Sequence, residues 1–190
     1  MEESKRLFVA IKFKPNELYQ DLVNQLRHRL RTDMISWIEP EMAHLTLKFF
    51  GQTPVARIES LESALLKSVQ NQAPFEIKID KVGAFGSSHS PKVIWMGMQD
   101  YTLVKKLHFD LINSIRQLGY YPDPGNFIPH ITLGRVKKIM DKPWFWDSIS
   151  LLQNREIQTA LIDKIILYES ILLKKGVKHN VVREFPFKVC

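Results

Sequence analysis

The stretch Ala43-His44-Leu45-Thr46-Leu47-Lys48-Phe49-Phe50-Gly51 and the stretch Pro129-His130-Ile131-Thr132-Leu133-Gly134-Arg135 write the same phrase twice: His, aliphatic, Thr, Leu. With six His and six Thr among 190 residues, about 0.2 His-x-Thr triplets are expected by chance, so two in matching apolar contexts form a pattern. Strand side chains alternate between faces, which puts a His and a Thr two apart on one side and the intervening aliphatics on the other. The fold must therefore hold two strands that each bury one face. On the opposite face each strand offers one imidazole and one hydroxyl, His44 with Thr46 and His130 with Thr132.

The repeat runs beyond the motif. His44 and His130 are 86 residues apart, and the same shift carries Leu7 to Val93 and Ile79 to Ile165. Strand, helix, His-Thr strand and strand thus occur twice, an internal duplication. An approximate twofold between the copies would set the two His-Thr strands face to face around one cleft. In the first copy, Leu7 to Phe13 reads as a buried strand, and Pro15 suits the first position of a helix bearing Leu18, Leu22, Val23, Leu26 and Leu30. The cations Arg27, His28, Arg29 and Arg31 suit the end of that helix. Thr53-Pro54 reads as cap and first-turn proline of a second helix, and Phe75, Ile77 and Ile79 alternate as a half-buried strand. In the second copy, Gly83 to Pro91 reads as a loop and Val93 to Met98 as a strand. Asp100 reads as the cap of a helix from Leu103 to Leu118 that ends at a left-handed Gly119. A short helix within Pro143 to Gln153, a strand from Ala160 to Tyr168, and the alternating Phe185, Phe187 and Val189 complete the chain, with Pro186 marking an edge.

Composition narrows the function classes. A formal net charge of +7 favours anionic partners such as RNA. The single cysteine, Cys190, excludes an intrachain disulfide and a cysteine-based metal site, as suits a reducing compartment. No apolar run approaches the roughly 18 residues that span a bilayer, and Met1 to Arg6 does not resemble a signal peptide. A soluble, cytoplasmic protein with no membrane partner is expected, and 190 residues suffice for one domain or two small lobes.

The paired motif, together with Leu7-Phe8-Val9-Ala10-Ile11, Phe127-Ile128-Pro129-His130 and Leu167-Tyr168-Glu169-Ser170, resembles the 2H phosphoesterases. More narrowly, it resembles the RNA 2',3'-cyclic phosphodiesterases, also called LigT-like 2'-5' RNA ligases. The resemblance covers almost the whole chain, taken as a single domain over residues 1–190 built from two pseudo-symmetric lobes. It implies an α+β fold with two antiparallel sheets flanking a central cleft and helices outside. The chain departs from the family at Lys178-His179-Asn180-Val181, where a tyrosine is often found.

Opening a 2',3'-cyclic phosphate with water needs one group to take a proton from water and another to protonate the departing ribose oxygen. Histidine does either near neutral pH. Thr46 and Thr132 would donate to the non-bridging oxygens and hold the phosphate between the imidazoles. No metal or other cofactor is expected, because neither His has a carboxylate or third His at ligand spacing. By resemblance His44 is the proton donor, His130 the proton acceptor, and Arg135 a phosphate ligand with a fork suited to the task. Phe49, five residues after His44, either stacks on a base or packs in the core. His28, His89, His108 and His179 lack the motif and are read as surface or structural. Trp144, Phe145 and Trp146 are read as packing, and Lys137-Lys138 and Lys174-Lys175 as solvated turns. The implied partners are RNA with 2',3'-cyclic phosphate ends or small cyclic nucleotides, acted on by a monomer. The alternatives are 2'-5' RNA ligation, opening of a small cyclic-phosphate metabolite, and a non-catalytic basic RNA-binding module.

Overall fold

The computed structural model describes residues 3–174 and 176–188, so Val189, Cys190 and Lys175 lie outside the described residues. The first half runs β1 (Ser4–Lys12), α1 (Glu17–Arg29), β2 (Met34–Trp37), β3 (His44–Pro54), α2 (Ile58–Val69), β4 (Phe75–Ile79) and β5 (Lys81–Ser87). The second runs β6 (Ser90–Gly97), α3 (Thr102–Ile115), β7 (His130–Lys138), α4 (Lys142–Ser150), β8 (Gln158–Ile162) and β9 (Lys164–Leu173), and β10 (Gly176–Pro186) closes the chain. Every strand pair is antiparallel. The large sheet has the order β10-β9-β1-β3-β7-β6-β5 with β2 on β7, and β4 pairs with β8 in a small second sheet. The large sheet is two four-stranded halves: β3 and β7 meet in the single registered pair Leu45 and Ile131. Equivalent strands of the two copies thus pair with each other twice, β3 with β7 and β4 with β8, as a twofold requires.

The continuous apolar run Leu7 to Ile11 makes β1 buried on both faces. Leu7, Val9 and Ile11 point into the main core with Leu22 and Leu26 of α1 and Leu61 and Leu65 of α2. Phe8 and Ala10 point the other way and form a separate cluster with Ile166 and Tyr168 of β9. The helices cover one face of the sheet, and this second cluster floors the other. Each fully buried aliphatic or aromatic side chain contributes roughly 1.5–3 kcal/mol. Arg29 and Trp144 clasp α1 to α4: the indole Nε1 donates to the Arg29 carbonyl at 2.8 Å, and the guanidinium lies 4.5 Å over the ring. Trp146 Nε1 donates to Ser88 O at 2.9 Å and ties α4 to the β5–β6 turn. Both tryptophans therefore pack, as the sequence suggests.

Several boundaries differ from the sequence reading, each for a local reason. Asn16, not Pro15, starts α1, its Oδ1 accepting from Tyr19 N at 2.9 Å. Thr53-Pro54 ends β3 instead of opening α2, because pairing with β1 continues to Ser4 and Pro54 and a 3-10 turn intervenes at Val55–Arg57. Gly83 to Pro91 is a β-hairpin, since the indole of Trp95 lies so close over Gly83 that an added Cβ would meet its Cζ2 at 2.5 Å. Tyr101 occupies the cap position of α3, while the Asp100 carboxylate one residue earlier accepts from Thr102 N at 3.0 Å. Gly119 is left-handed at φ 82°. Ala160 to Tyr168 breaks at Asp163 into β8 and β9, which belong to different sheets. The repeat offset also shortens, to 84 where α2 and α4 begin and to 83 at β4 and β8. Ile79 consequently answers to Ile162 of β8, not to Ile165. Among the described residues, no helix is long and apolar enough to cross a membrane.

Candidate active site

Because β3 and β7 pair at Leu45 and Ile131, the residues on either side of that pair share the opposite face. His44, Thr46, His130 and Thr132 therefore form a quartet around it, and all four line one cavity of about 590 Å³. Leu45, Leu47, Ile131 and Leu133 lie buried behind them. The two strands show the same burial sequence from the histidine onward for six residues.

Strict alternation would turn the residue five after each His away from the cleft. A bulge in each strand prevents this. Val9 pairs with Lys48 and Ala10 with Thr46, which leaves Leu47 unpaired; Ile94 pairs with Gly134 and Trp95 with Thr132, which leaves Leu133 unpaired. The extra residue resets the alternation in both copies. Phe49 and Arg135 consequently join the quartet in lining the cavity, both exposed.

Each imidazole is fixed in the same way. His44 Nδ1 donates to Met42 O at 2.6 Å, and His130 Nδ1 donates to Ile128 O at 2.9 Å. A carbonyl only accepts, so Nδ1 carries the proton in both rings and Nε2 is the nitrogen left over. An aromatic ring backs each histidine: Phe8 lies 5.2 Å from His44, and Phe85 packs edge-on to His130 at 4.7 Å. Burial holds both imidazoles below the ordinary histidine range; the carbonyl bonds oppose this, and the Arg135 charge depresses both further. Among the described residues, neither threonine hydroxyl nor the Arg135 guanidinium has a hydrogen-bond or ion-pair partner in the protein, so all three are available to an anion.

The structure thus brings all six sequence-derived residues to one cavity and adds others. His179 of β10, read as surface or structural, packs edge-on to both Phe8 at 4.7 Å and His44 at 5.2 Å. Burial and the neighbouring His44 push it down to about 4. His108 of α3 also reaches the cavity wall, stacked on Phe127 at 3.8 Å. Lys48, almost wholly buried, pairs with Asp123 of the segment between α3 and β7. Arg6 of β1 and Ser170 of β9 complete the far wall. Nothing in the alternation of β1 or β10 separates these from ordinary surface residues; only the pairing order of the sheet does. Among the described residues, no three His, Cys, Asp or Glu side chains gather as metal ligands would.

Comparison with known proteins points the same way. Residues 13–95 match the family model for LigT-like phosphoesterases. An RNA 2',3'-cyclic phosphodiesterase of Thermotoga maritima is 30% identical over 186 residues, 96% of each chain. One from Methanothermobacter thermautotrophicus is 28% identical over 90% of this chain and 92% of its own. Among solved structures, a Thermus thermophilus protein superposes with a TM-score of 0.77 at 22% identity, covering 96% of this chain and 97% of its own. Escherichia coli LigT complexed with 3'-AMP gives 0.73 at 19% identity, covering 98% and 100%. These two structures establish a shared fold.

Proposed function

The chain belongs to the LigT-like phosphoesterase family, and from that premise we propose that it hydrolyses RNA 2',3'-cyclic phosphodiester ends to 2'-phosphomonoesters. The observation that carries the reading is the matched pair of imidazoles, each with Nδ1 committed to the carbonyl two residues back and Nε2 left over, in one cavity with two free hydroxyls. The phosphate sits between the rings, with Thr46, Thr132 and Arg135 donating to its non-bridging oxygens. His130, neutral at Nε2, takes a proton from the attacking water as the new P–O bond forms. His44 enters protonated and gives its Nε2 proton to the 3' oxygen as the P–O3' bond breaks, leaving the phosphate on O2'. Acid and base end in exchanged protonation states, and solvent resets them. These roles use only the chain's own side chains, within one domain of two lobes, and need no cation. The choice of His44 as donor follows the family, and its neighbours accord with it: Arg135 is on the His130 strand and Phe49 on the His44 strand.

The test is incubation with an RNA oligonucleotide ending in a 2',3'-cyclic phosphate, with and without EDTA. Turnover to a 2'-phosphate that survives the chelator is expected. Complete loss with EDTA and rescue by a divalent ion would overturn the mechanism, and a 3'-phosphate product would reverse the placement of the ribose.

A further inference from the structure

The cavity is longer than a phosphate site requires, and its contents follow an order. On its cleft-facing side, β1 and its partner β3 present Lys12 beside His44, Ala10 beside Thr46, Phe8 beside Phe49 and then Arg6 beside Gln52. Phe49 is 48% exposed with its ring 5.3 Å from that of Phe8, an aromatic platform that faces the cavity instead of the core. Arg6, two residues past Phe8 and so roughly 7 Å farther along the strand, is exposed and lines the same cavity. Its neighbour Lys5 is paired with Glu169 at 3.3 Å, but among the described residues Arg6 itself has no carboxylate or hydrogen-bond partner. Ser170 and His179, paired across β9 and β10, extend this end with further polar groups.

Imidazoles and hydroxyls, then an aromatic face, then an unpaired guanidinium supply in turn partners for the terminal phosphate, for the base that branches from its ribose and for the phosphate on the other side of that ribose. A base stacks on an aromatic ring whatever its identity, and a guanidinium fork matches phosphate oxygens. We propose that Arg6 is a second phosphate subsite, which takes the phosphate on the 5' side of the terminal nucleotide and makes a single-stranded RNA end of two or more nucleotides, not a cyclic mononucleotide, the preferred substrate. The proposal rests on the phosphodiesterase reading for the direction of the chain, with the terminal phosphate between the histidines.

Binding and turnover separate the two ideas. Affinity is measured as a function of salt for diuridylate ending in a 2'-phosphate and for uridine 2'-monophosphate, with the natural chain and with Arg6→Gln; turnover is measured on the corresponding 2',3'-cyclic phosphates. The natural chain is expected to favour the dinucleotide in both assays. Arg6→Gln is expected to weaken dinucleotide binding about tenfold, as loss of a charge-assisted contact does. It should also reduce the salt slope of dinucleotide binding by about 0.7, the share of one phosphate on a single strand, so that the preference over the mononucleotide collapses. Arg6 is exposed, and a thermal melt checks that the variant is folded. Equal binding of the two ligands by the natural chain, or a dinucleotide preference and salt slope that survive Arg6→Gln, overturns the subsite whatever the turnover. Absence of turnover on either cyclic phosphate while Arg6-dependent binding persists would instead sink the catalytic reading and leave the subsite standing.

Discussion

His179 provides a way to measure what the cleft does to an imidazole. Its ring is half-buried among Phe8 of β1 at 4.7 Å, His44 of β3 at 5.2 Å and Tyr168 of β9 at 6.1 Å. The phenol of Tyr168, raised to about 12 by burial, is neutral and offers no compensating anion. Burial first, and the His44 charge second, lower His179 from 6.5 to about 4. Below pH 6.5 the unfolded chain binds a proton here that the folded chain refuses until about pH 4, so stability is complete above 6.5 and declines as pH falls between the two values. Each tenfold in proton affinity is worth about 1.4 kcal/mol, which sets a ceiling of about 3 kcal/mol. Water still reaches part of the ring and screens it, so about 1–2 kcal/mol is expected. The perturbation is His179→Phe, which keeps a ring and removes the titration. Urea unfolding of both chains at pH 7 and pH 4 should show the variant losing about 1–2 kcal/mol less over that interval, whatever its stability at pH 7. Parallel losses in the two chains would refute the account of His179 as a neutral, proton-refusing ring.

On the proposed mechanism, His44 and His130 should give a bell-shaped dependence of kcat/KM on pH whose limbs belong to the coupled pair, with the acidic limb below 6.5 because burial depresses both histidines. His44→Ala and His130→Ala should each lower the rate about a hundredfold or more, and a substrate whose leaving group needs no proton should rescue only the former; rescue of the latter would exchange their roles. Removing the two partners of the Lys48–Asp123 ion pair should have unequal effects, since the Lys48 side chain is 7% exposed and that of Asp123 65%. Asp123→Ala should cost about 1–3 kcal/mol in chemical denaturation by leaving a buried ammonium unpaired, whereas Lys48→Met should be nearly neutral. Gly83→Ala should destabilise by about 1–3 kcal/mol, because the new methyl displaces the Trp95 indole. It should also slow turnover through the Phe85 ring, which stacks on Trp95 at 5.0 Å and packs on His130; normal activity would contradict that linkage.

The quartet was legible because it depends on local arithmetic: a period of two within each strand, and a shift of 86 between them. The bulges were not, since Leu47 and Leu133 are ordinary strand residues whose unpaired state is decided by β1 and β6 opposite them. Without that knowledge, alternation alone would have buried Phe49 and Arg135, and family likeness had to supply them. β2 was also missed, for Met34 to Trp37 is short and joins the sheet of the other copy, where Gly134 leaves room for Ile35 and Trp37 to close over β7. That His108 and His179 line the cleft was not legible either, for a related reason. Each follows an apolar or basic neighbour in an ordinary helix or strand pattern, and only long-range pairing carries them to the cleft. The hairpin at Gly83 to Pro91 looked like a loop because glycine's usual meaning is a turn, while here it makes space for an indole.

Among the described residues, β3 and β7 join the two halves of the large sheet through one registered pair, Leu45 and Ile131, and the histidines are the residues adjacent to it. A rigid rotation displaces each atom in proportion to its distance from the axis. Were one half to rock against the other about that seam, the rim residues Val177 and Arg6 would swing widely, whereas the spacing of the imidazoles would scarcely change. Such a rotation, like that of a nutcracker with its jaws beside the hinge and its handles far out, would change the width of the mouth while the two imidazoles kept one fixed gauge.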